Sequence, residues 1–536
     1  MTIPAKTVYL LLILIALGAV WGRITTIEDF QSIRLERYRI DKAVEAKKAT
    51  WLANGLTDRQ IAGRETKYRA QLQDHWRIRR PTLSANDRSR WATLRALVEP
   101  NMRVSGFPYA IDKVIQEPGW DTIDMVKHDG HLFSSKPTLL PTIQAGVYWV
   151  MYHVFGLSAQ TRPFETVRTF LAITHLPLLL LLFWSTLKSV ELITSSAFAR
   201  VFILASVCFG TYLTTFATSV QNHLPGAVAI SVALYAILRI VLPWERFQDR
   251  SMHAIPAGND RIYDENENEN NNENKSESAL LSKPVVCAVP SVWIYVLAGF
   301  SAAFAVTCEL PSLAFFVGLL LVSFVVSPKK AAIGFLPAAA LVFGAFFETN
   351  QIAHGSLIPA YAHREADENW YLYTYDRGDG VERLSYWHNR IGIDRGEPSK
   401  AVYGFNVLVG HHGVFSLTPL WIFSLVGACF WLGNYRENPK LALFGFFVLS
   451  MTAVTFAFFI LGRPLEDRNY GGMTCAFRWA FWLIPMLLVS LTPVLEYSEK
   501  RRWVQYVLYM ALVLSVLTAN TALNNPWTHP WIYPGL

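Results

Sequence analysis

Cysteine is scarce in this chain. Its five copies, Cys208, Cys287, Cys308, Cys429 and Cys475, all lie in or beside apolar runs. No pair has zinc-ligand spacing and none falls in a polar segment, so a disulfide framework and a structural zinc site are both excluded, and these are small buried side chains. An HExxH motif is also missing, so nothing supports a metalloprotease-like centre. The formal net charge is only +7. Its basic residues flank apolar runs or mix with acids, which excludes a nucleic-acid partner. No clear internal repeat is visible, whereas a transporter or flippase with two similar halves would be expected to show one. What the chain does have is apolar mass: 52% hydrophobic and 14% aromatic residues in 536. Several runs approach twenty residues, the length that crosses a bilayer as a helix.

The first apolar run is Thr7–Trp21, and the chain then stays polar from Arg23 to about Pro137. Lys6 ahead of that run resembles a signal peptide, but bulky Trp21 makes Ala19-Val20-Trp21 a poor cleavage site, so a retained helix is expected. Further apolar runs cover about 139–157, 168–187, 199–217, 224–242, 286–307, 311–327, 331–348, 416–433, 441–461, 476–495 and 503–521. If all of them spanned, the basic turns Pro328-Lys329-Lys330 and Glu499–Arg502 would lie outside, against the positive-inside tendency. Treating 139–157 as a helix on the membrane surface repairs every loop at once. That run contains Pro141, Gln144, Tyr148, Tyr152 and His153, which suit an interfacial position.

The expected organisation is therefore an all-α polytopic membrane protein with about eleven transmembrane helices, a mixed α/β outer loop domain and interfacial helices. Residues 1–22 form the first span, 23–138 the outer polar domain and 139–157 the interfacial helix. Residues 158–348 carry spans two to seven, 349–415 a second outer loop and 416–536 spans eight to eleven. The N-terminus is cytoplasmic and the C-terminus outside, in the plasma (inner) membrane. The linker 243–284 contains Asp264–Ser278 (DENENENNNENKSES), a low-complexity acidic stretch expected to be disordered.

Within the polar domain, Ser84–Val98 repeats Trp91, Leu94, Leu97 and Val98 at helical spacing, predicting a helix with one apolar face. Asp87 opens it, with Arg88 and Arg90 beside it. A carboxylate there can take a proton from an acceptor hydroxyl or hold a divalent cation; Ser84-x-x-Asp87 also fits a helix cap. Thr122–Val126 and His131–Ser134 predict a hairpin around Asp129-Gly130. The chain then reaches Ser135-Lys136-Pro137, which places Lys136 at headgroup depth, either binding a lipid phosphate or snorkelling. Asn222 and His223, and then Glu309, stand at outer turns between spans. An acid in apolar sequence is expensive and often functional, although a carboxylate at a helix start is also simply stabilising. Arg468 and Arg478 precede and follow the pair Gly471-Gly472. Guanidinium forks match phosphate oxygens, while Arg478-Trp479 also fits an interfacial anchor. The loop 349–415 offers His363, Trp370 and His412 for stacking on and hydrogen bonding to a sugar.

Together these residues resemble the GT-C membrane glycosyltransferases, in particular the protein O-mannosyltransferases and the bacterial lipid A aminoarabinose transferase. Phe133-Ser134-Ser135-Lys136-Pro137-Thr138-Leu139 stands where such proteins often read Tyr-Ser-x-Lys-Pro-Pro-Leu, and Gly471-Gly472…Phe477-Arg478-Trp479 where they read Gly-Gly…Pro-Arg-Tyr. The resemblance implies transfer of a sugar from a polyprenyl-phosphate donor to a lipid, glycan or protein acceptor at the outer face. It implies Asp87 as base or metal-associated acid, Lys136, Arg468 and Arg478 on the donor phosphate, and Arg90, Asn222, His223, Glu309, His363, Trp370 and His412 toward sugar or acceptor. Membrane lipids are the remaining partners. No cofactor is implied beyond the option of a divalent cation. The chain departs from the pattern at Arg88, where many members have a second acid, at Thr138, and in the extra charged segment Asp29–Arg80. A catalytically silent relative with a binding or assembly role is the alternative that Arg88 keeps open, and a transporter is the alternative from another class.

Overall fold

A computed structural model describes residues 5–30, 33–76, 79–242, 290–364, 368–376 and 380–534. The linker 243–284 lies outside the described residues. Eight helices among those described are long and apolar enough to cross a membrane: Ala5–Thr25 (α1), Pro163–Glu191, Ala197–Thr218, His223–Val241, Pro328–His354, Pro439–Leu461, Arg478–Ser498 and Arg502–Thr521. Three shorter apolar helices, Val292–Cys308, Leu310–Val326 and Leu420–Gly433, accompany them. The chain is thus an integral multi-pass membrane protein. The expected count of eleven requires the short three to span as well; at about 1.5 Å per residue a helix needs about 20 residues to cross about 30 Å of hydrocarbon.

The helices pack through small residues, as helices do where apolar surroundings give side chains no preference for one another. A Cβ on Gly299 would lie 2.2 Å from the carbonyl oxygen of Phe335. Only glycine lets Val292–Cys308 approach its neighbour so closely.

The charged segment after α1 is helical. Ile33–Ala53 (α2) and Asp58–Trp76 (α3) form an antiparallel pair around a small separate core of Ile40, Val44 and Leu72. Two-residue strands at Asp29–Phe30 and Arg79–Arg80 pair to close its base.

Helix Ala85–Val98 (α4) differs from its expected form. The sequence predicts one apolar face, but nearly the whole helix is buried, Asp87, Arg88, Arg90 and Arg95 included. Its polar side is covered because partners from other segments meet it. Arg95 is fully buried and binds Glu99 with both Nε and Nη2, the latter at 2.7 Å, while Nη1 reaches Glu117 at 2.6 Å. Tyr148 donates to the same Glu99 at 2.5 Å. Such burial is tolerable only because the charges are paired.

Helix Leu139–Phe155 (α5) supplies Tyr148 and packs on α4. Leu140, Gln144, Tyr148 and Met151 face inward; Ile143, Trp149, Val150, Val154 and Phe155 are exposed. It is not among the candidate spans, and its exposed face is an apolar stripe. Between α4 and α5 lies the hairpin Met125–His128/His131–Ser134, antiparallel with Met125 opposite Ser134. Asp129 (φ 49°) and Gly130 (φ 79°) form its tight turn, the left-handed pair that a two-residue hairpin loop needs. The strand begins at Met125, not at Thr122.

Candidate functional site

The N-terminus of α4 meets the turn before His223–Val241. Ser84 Oγ accepts from the Asp87 amide at 3.1 Å, so the capping reading of Ser84 is correct. Asp87 does not complete the reciprocal box. Its carboxylate accepts from Leu83 N at 3.3 Å and from Val220 N at 3.0 Å, tying α4 to a turn 133 residues away. Burial pushes the Asp87 carboxyl up to about 7; the two backbone amides, Arg88 and Arg90 keep it from rising further. Each carboxylate oxygen has two acceptor sites, so two bonds leave capacity for a further proton or donor.

From Arg90 a buried polar chain runs through four segments. Arg90 Nη2 donates to Asn222 Oδ1 at 2.5 Å, and Nη1 donates to the side chain and carbonyl of Asn86. Asn222 Nδ2 donates to Glu309 Oε1 at 2.7 Å and to the carbonyl of Cys308 at 2.8 Å. The same Glu309 oxygen meets His223 Nδ1, and His223 Nε2 lies 2.6 Å from Arg478 Nη1. Arginine can only donate. Nε2 is therefore the acceptor, and Nδ1 carries the proton shared with Glu309, which fixes the tautomer of His223. Arg478 completes the chain by donating from Nε (3.1 Å) and Nη2 (2.7 Å) to the carbonyl of Gly471. Gly471 sits at φ 93°, and a Cβ there would meet Arg478 Nε at 2.6 Å. A side chain at this position would push the guanidinium away. Above Arg478 lies Trp527, whose ring centroid is 5.1 Å from the guanidinium carbon. Trp527 is itself pinned by an indole N–H bond to Ser219 Oγ at 3.2 Å.

Lys136 reaches the same region from the hairpin. It is mostly buried and paired with Asp124 at 2.8 Å. The hairpin register sets Asp124 opposite Ser135 and so brings Lys136 to an acid. Burial would raise the Asp124 carboxyl, but Lys136, Arg478 and Arg90 together hold it below the usual carboxylate range. Burial lowers Lys136 to about 8, with Arg90 and Arg478 pressing it down and Asp124 supporting it. Arg90 falls to about 10 through burial and then the nearby Arg478. Three buried cations thus share one pocket of charge with Asp124 and Glu309.

The other candidates lie elsewhere. Arg468 is corrected as a member of this cluster: its Nε and Nη1 donate to the carbonyls of Arg463 and Pro398, bracing two loops. His363 stacks on Trp370 at 3.6 Å, and Trp370 on His128 at 4.1 Å, in a separate aromatic core with Phe133. His412 stacks on Tyr470 at 4.2 Å and lines a mostly apolar cleft of about 440 Å³ with Trp421 and Phe481. Among the described residues no group of three or more His, Cys, Asp or Glu is arranged to hold a metal ion. Asp124 and Trp527 were not anticipated from sequence. Asp124 had a signal, the hairpin register; Trp527 had none.

No family model matches the chain, and no curated protein matches it. Solved structures of similar shape exist. The oligosaccharyltransferase of Archaeoglobus fulgidus, in its complex with Zn and sulfate, superposes with a TM-score of 0.40 at 11% identity, covering 83% of this chain and 54% of that one. The archaeal oligosaccharyltransferase AglB from Archaeoglobus fulgidus, in complex with an inhibitory peptide and a dolichol-phosphate, gives 0.39 at 12% identity, covering 82% and 55%. The present chain is similar to both in its helical arrangement. It spans about half of their length.

Proposed function

We propose that this protein is a membrane glycosyltransferase that moves a sugar from a polyprenyl-phosphate donor to an acceptor at the outer face of the membrane. One observation carries this reading: Arg90, Lys136 and Arg478 converge, buried, from three distant segments. Isolated buried cations are costly, and holding three together suits a site whose ligand is an anion. The phosphate of a lipid-linked sugar is such an anion, and apolar helices beside the cluster suit its hydrocarbon tail.

In the proposed reaction an acceptor hydroxyl attacks the anomeric carbon from the side opposite the phosphate. The bond between that carbon and the phosphate oxygen breaks, and the polyprenyl phosphate leaves with its electrons. Arg478, Lys136 and Arg90 bear the charge that grows on the phosphate. Asp87 takes the hydroxyl proton; a carboxyl near 7 is matched to that task at neutral pH. Glu309 and His223 hold Arg478 in place through the fixed tautomer of His223.

The test is transfer from a labelled polyprenyl-phosphate sugar by protein in proteoliposomes. Arg478→Lys keeps the charge but loses the fork that binds Gly471 and His223 together. Transfer is expected to fall at least tenfold, mainly through a raised KM for donor. Full transfer by Arg478→Lys, or none by the unaltered protein with any lipid-linked donor, would refute the proposal.

A further inference from the structure

Helix Lys400–Leu408 (α6) lies in the loop 349–415. Its inner side is packed. Tyr403 and Val407 are fully buried, and a Cβ on Gly404 would come within 3.1 Å of Ile460 Cγ2. Its other side is bare. Val402, Phe405 and, just past the helix end, Val409 follow at intervals of three and four residues, which sets them on one face, and Phe405 is 60% exposed. A single exposed apolar residue needs no explanation, but a stripe of them does.

Contacts on the inner side fix where this stripe lies. Lys400 Nζ donates to the carbonyl of Leu461 at 2.8 Å, and Gly404, one turn further on, meets Ile460. Both partners belong to the last turn of the candidate span Pro439–Leu461. The exposed side of that span carries Val454, Phe458 and Leu461, four and three residues apart, down to its end. Phe459 in the same last turn stacks on Trp479, with ring centroids 5.3 Å apart. Trp479 stands at the start of the next candidate span, and the Arg463 guanidinium carbon lies 4.1 Å from its ring centroid. A tryptophan beside a cation, where one span ends and the next begins, belongs at a membrane–water boundary.

We propose that α6 rests on the bilayer at this boundary, with Val402, Phe405 and Val409 sunk among the acyl chains of the leaflet on that side. The lipid-facing side of the span passes at Leu461 directly into α6, so lipid that covers Phe458 and Leu461 covers the stripe as well. Lys400 suits this depth, because its stem lies along apolar surface while its ammonium caps the last carbonyl of the span. The docking does not depend on the glycosyltransferase reading. It does bear on the cation cluster, since Tyr403 Oη donates to the carbonyl of Asn469 at 2.8 Å and Asn469 Oδ1 accepts from Gly471 N at 2.9 Å. A helix seated on lipid is thus tied by hydrogen bonds to the loop whose Gly471 carbonyl holds Arg478.

The experiment places one nitroxide label at a time on the full chain in phosphatidylcholine nanodiscs, through Val402→Cys, Phe405→Cys or Val409→Cys, with the five native cysteines replaced by alanine. Phe458→Cys on the span and Lys47→Cys on the exposed side of α2 are the references. Collisions of each label with oxygen and with a water-soluble nickel chelate are measured. The oxygen-to-nickel ratio at the three α6 positions is expected to approach that of Phe458→Cys and to exceed that of Lys47→Cys about tenfold or more, because polar solutes are excluded from hydrocarbon. A ratio like that of Lys47→Cys puts the face in water and overturns the proposal. Labels sheltered from both reagents would mean that protein, a second copy or another partner, covers the face, which overturns it equally. The three positions are read separately, so a variant that fails to fold still leaves two.

Discussion

Replacing Asp87 with Asn separates its electrostatic role from its shape. Asp87 is 1% exposed, and burial raises its carboxyl from 3.8 to about 7. A carboxyl raised on folding is held protonated by the fold. Its favourable contribution is full below about pH 4 and is lost as the pH climbs to 7. The whole rise is worth about 4 kcal/mol at about 1.4 kcal/mol per pH step, and the stretch from pH 5 to pH 7 accounts for about 2 kcal/mol of it. Asp87→Asn carries no such charge. It keeps one acceptor oxygen for Leu83 or Val220 and turns an amide donor toward the other, a fixed cost of about 1–3 kcal/mol. The variant should therefore melt below the native protein at pH 5, and the gap should shrink or reverse by pH 8. Thermal melting in detergent at both pH values reads this directly. Parallel pH dependences for the two proteins would refute the burial argument. Sugar transfer by the variant is expected to be abolished at every pH at which it is folded, because Asn accepts no proton; full transfer would remove Asp87 from the reaction.

Two more outcomes follow from the same cluster. Asp124→Asn removes the acid that supports Lys136, so the lysine, already down at about 8, loses its proton at still lower pH. The alkaline fall in donor affinity should shift to lower pH, which a pH series of donor binding would show. Glu309→Ala strips Asn222 and His223 of a shared acceptor and leaves Arg90 and Arg478 short of a counter-charge. A loss of about 3–5 kcal/mol is expected, visible as a lower melting temperature, with Glu309→Gln milder because its amide oxygen can still accept.

Local patterns were well marked in the sequence. Ser84 and the helix it caps, and the hairpin at Asp129-Gly130, follow from residues close together in the chain, and the structure has them. Asn222, His223, Glu309 and Arg478 stand out at the ends of apolar runs and Arg90 beside Asp87 in the polar domain, and the structure joins all five by hydrogen bonds. Long-range pairing was harder to read. The burial of the polar side of α4 depends on Glu117 and Tyr148, which helical periodicity cannot foresee. Arg468 and Arg478 flank one glycine pair and look alike in sequence. What separates them is whether a loop carbonyl or a distant histidine stands in front of the guanidinium.

The bond between His223 and Arg478 also orders events during synthesis. The two residues are 255 positions apart, and at about 5–20 residues per second the ribosome takes tens of seconds to travel that distance. Glu309 follows His223 by 86 positions, so for the later part of that interval Arg90, Asn222, His223 and Glu309 have all been made, but the arginine that completes their chain has not. Charged groups left without partners cannot rest in hydrocarbon. The buried cluster therefore has its full set of partners only once Arg478 has been made.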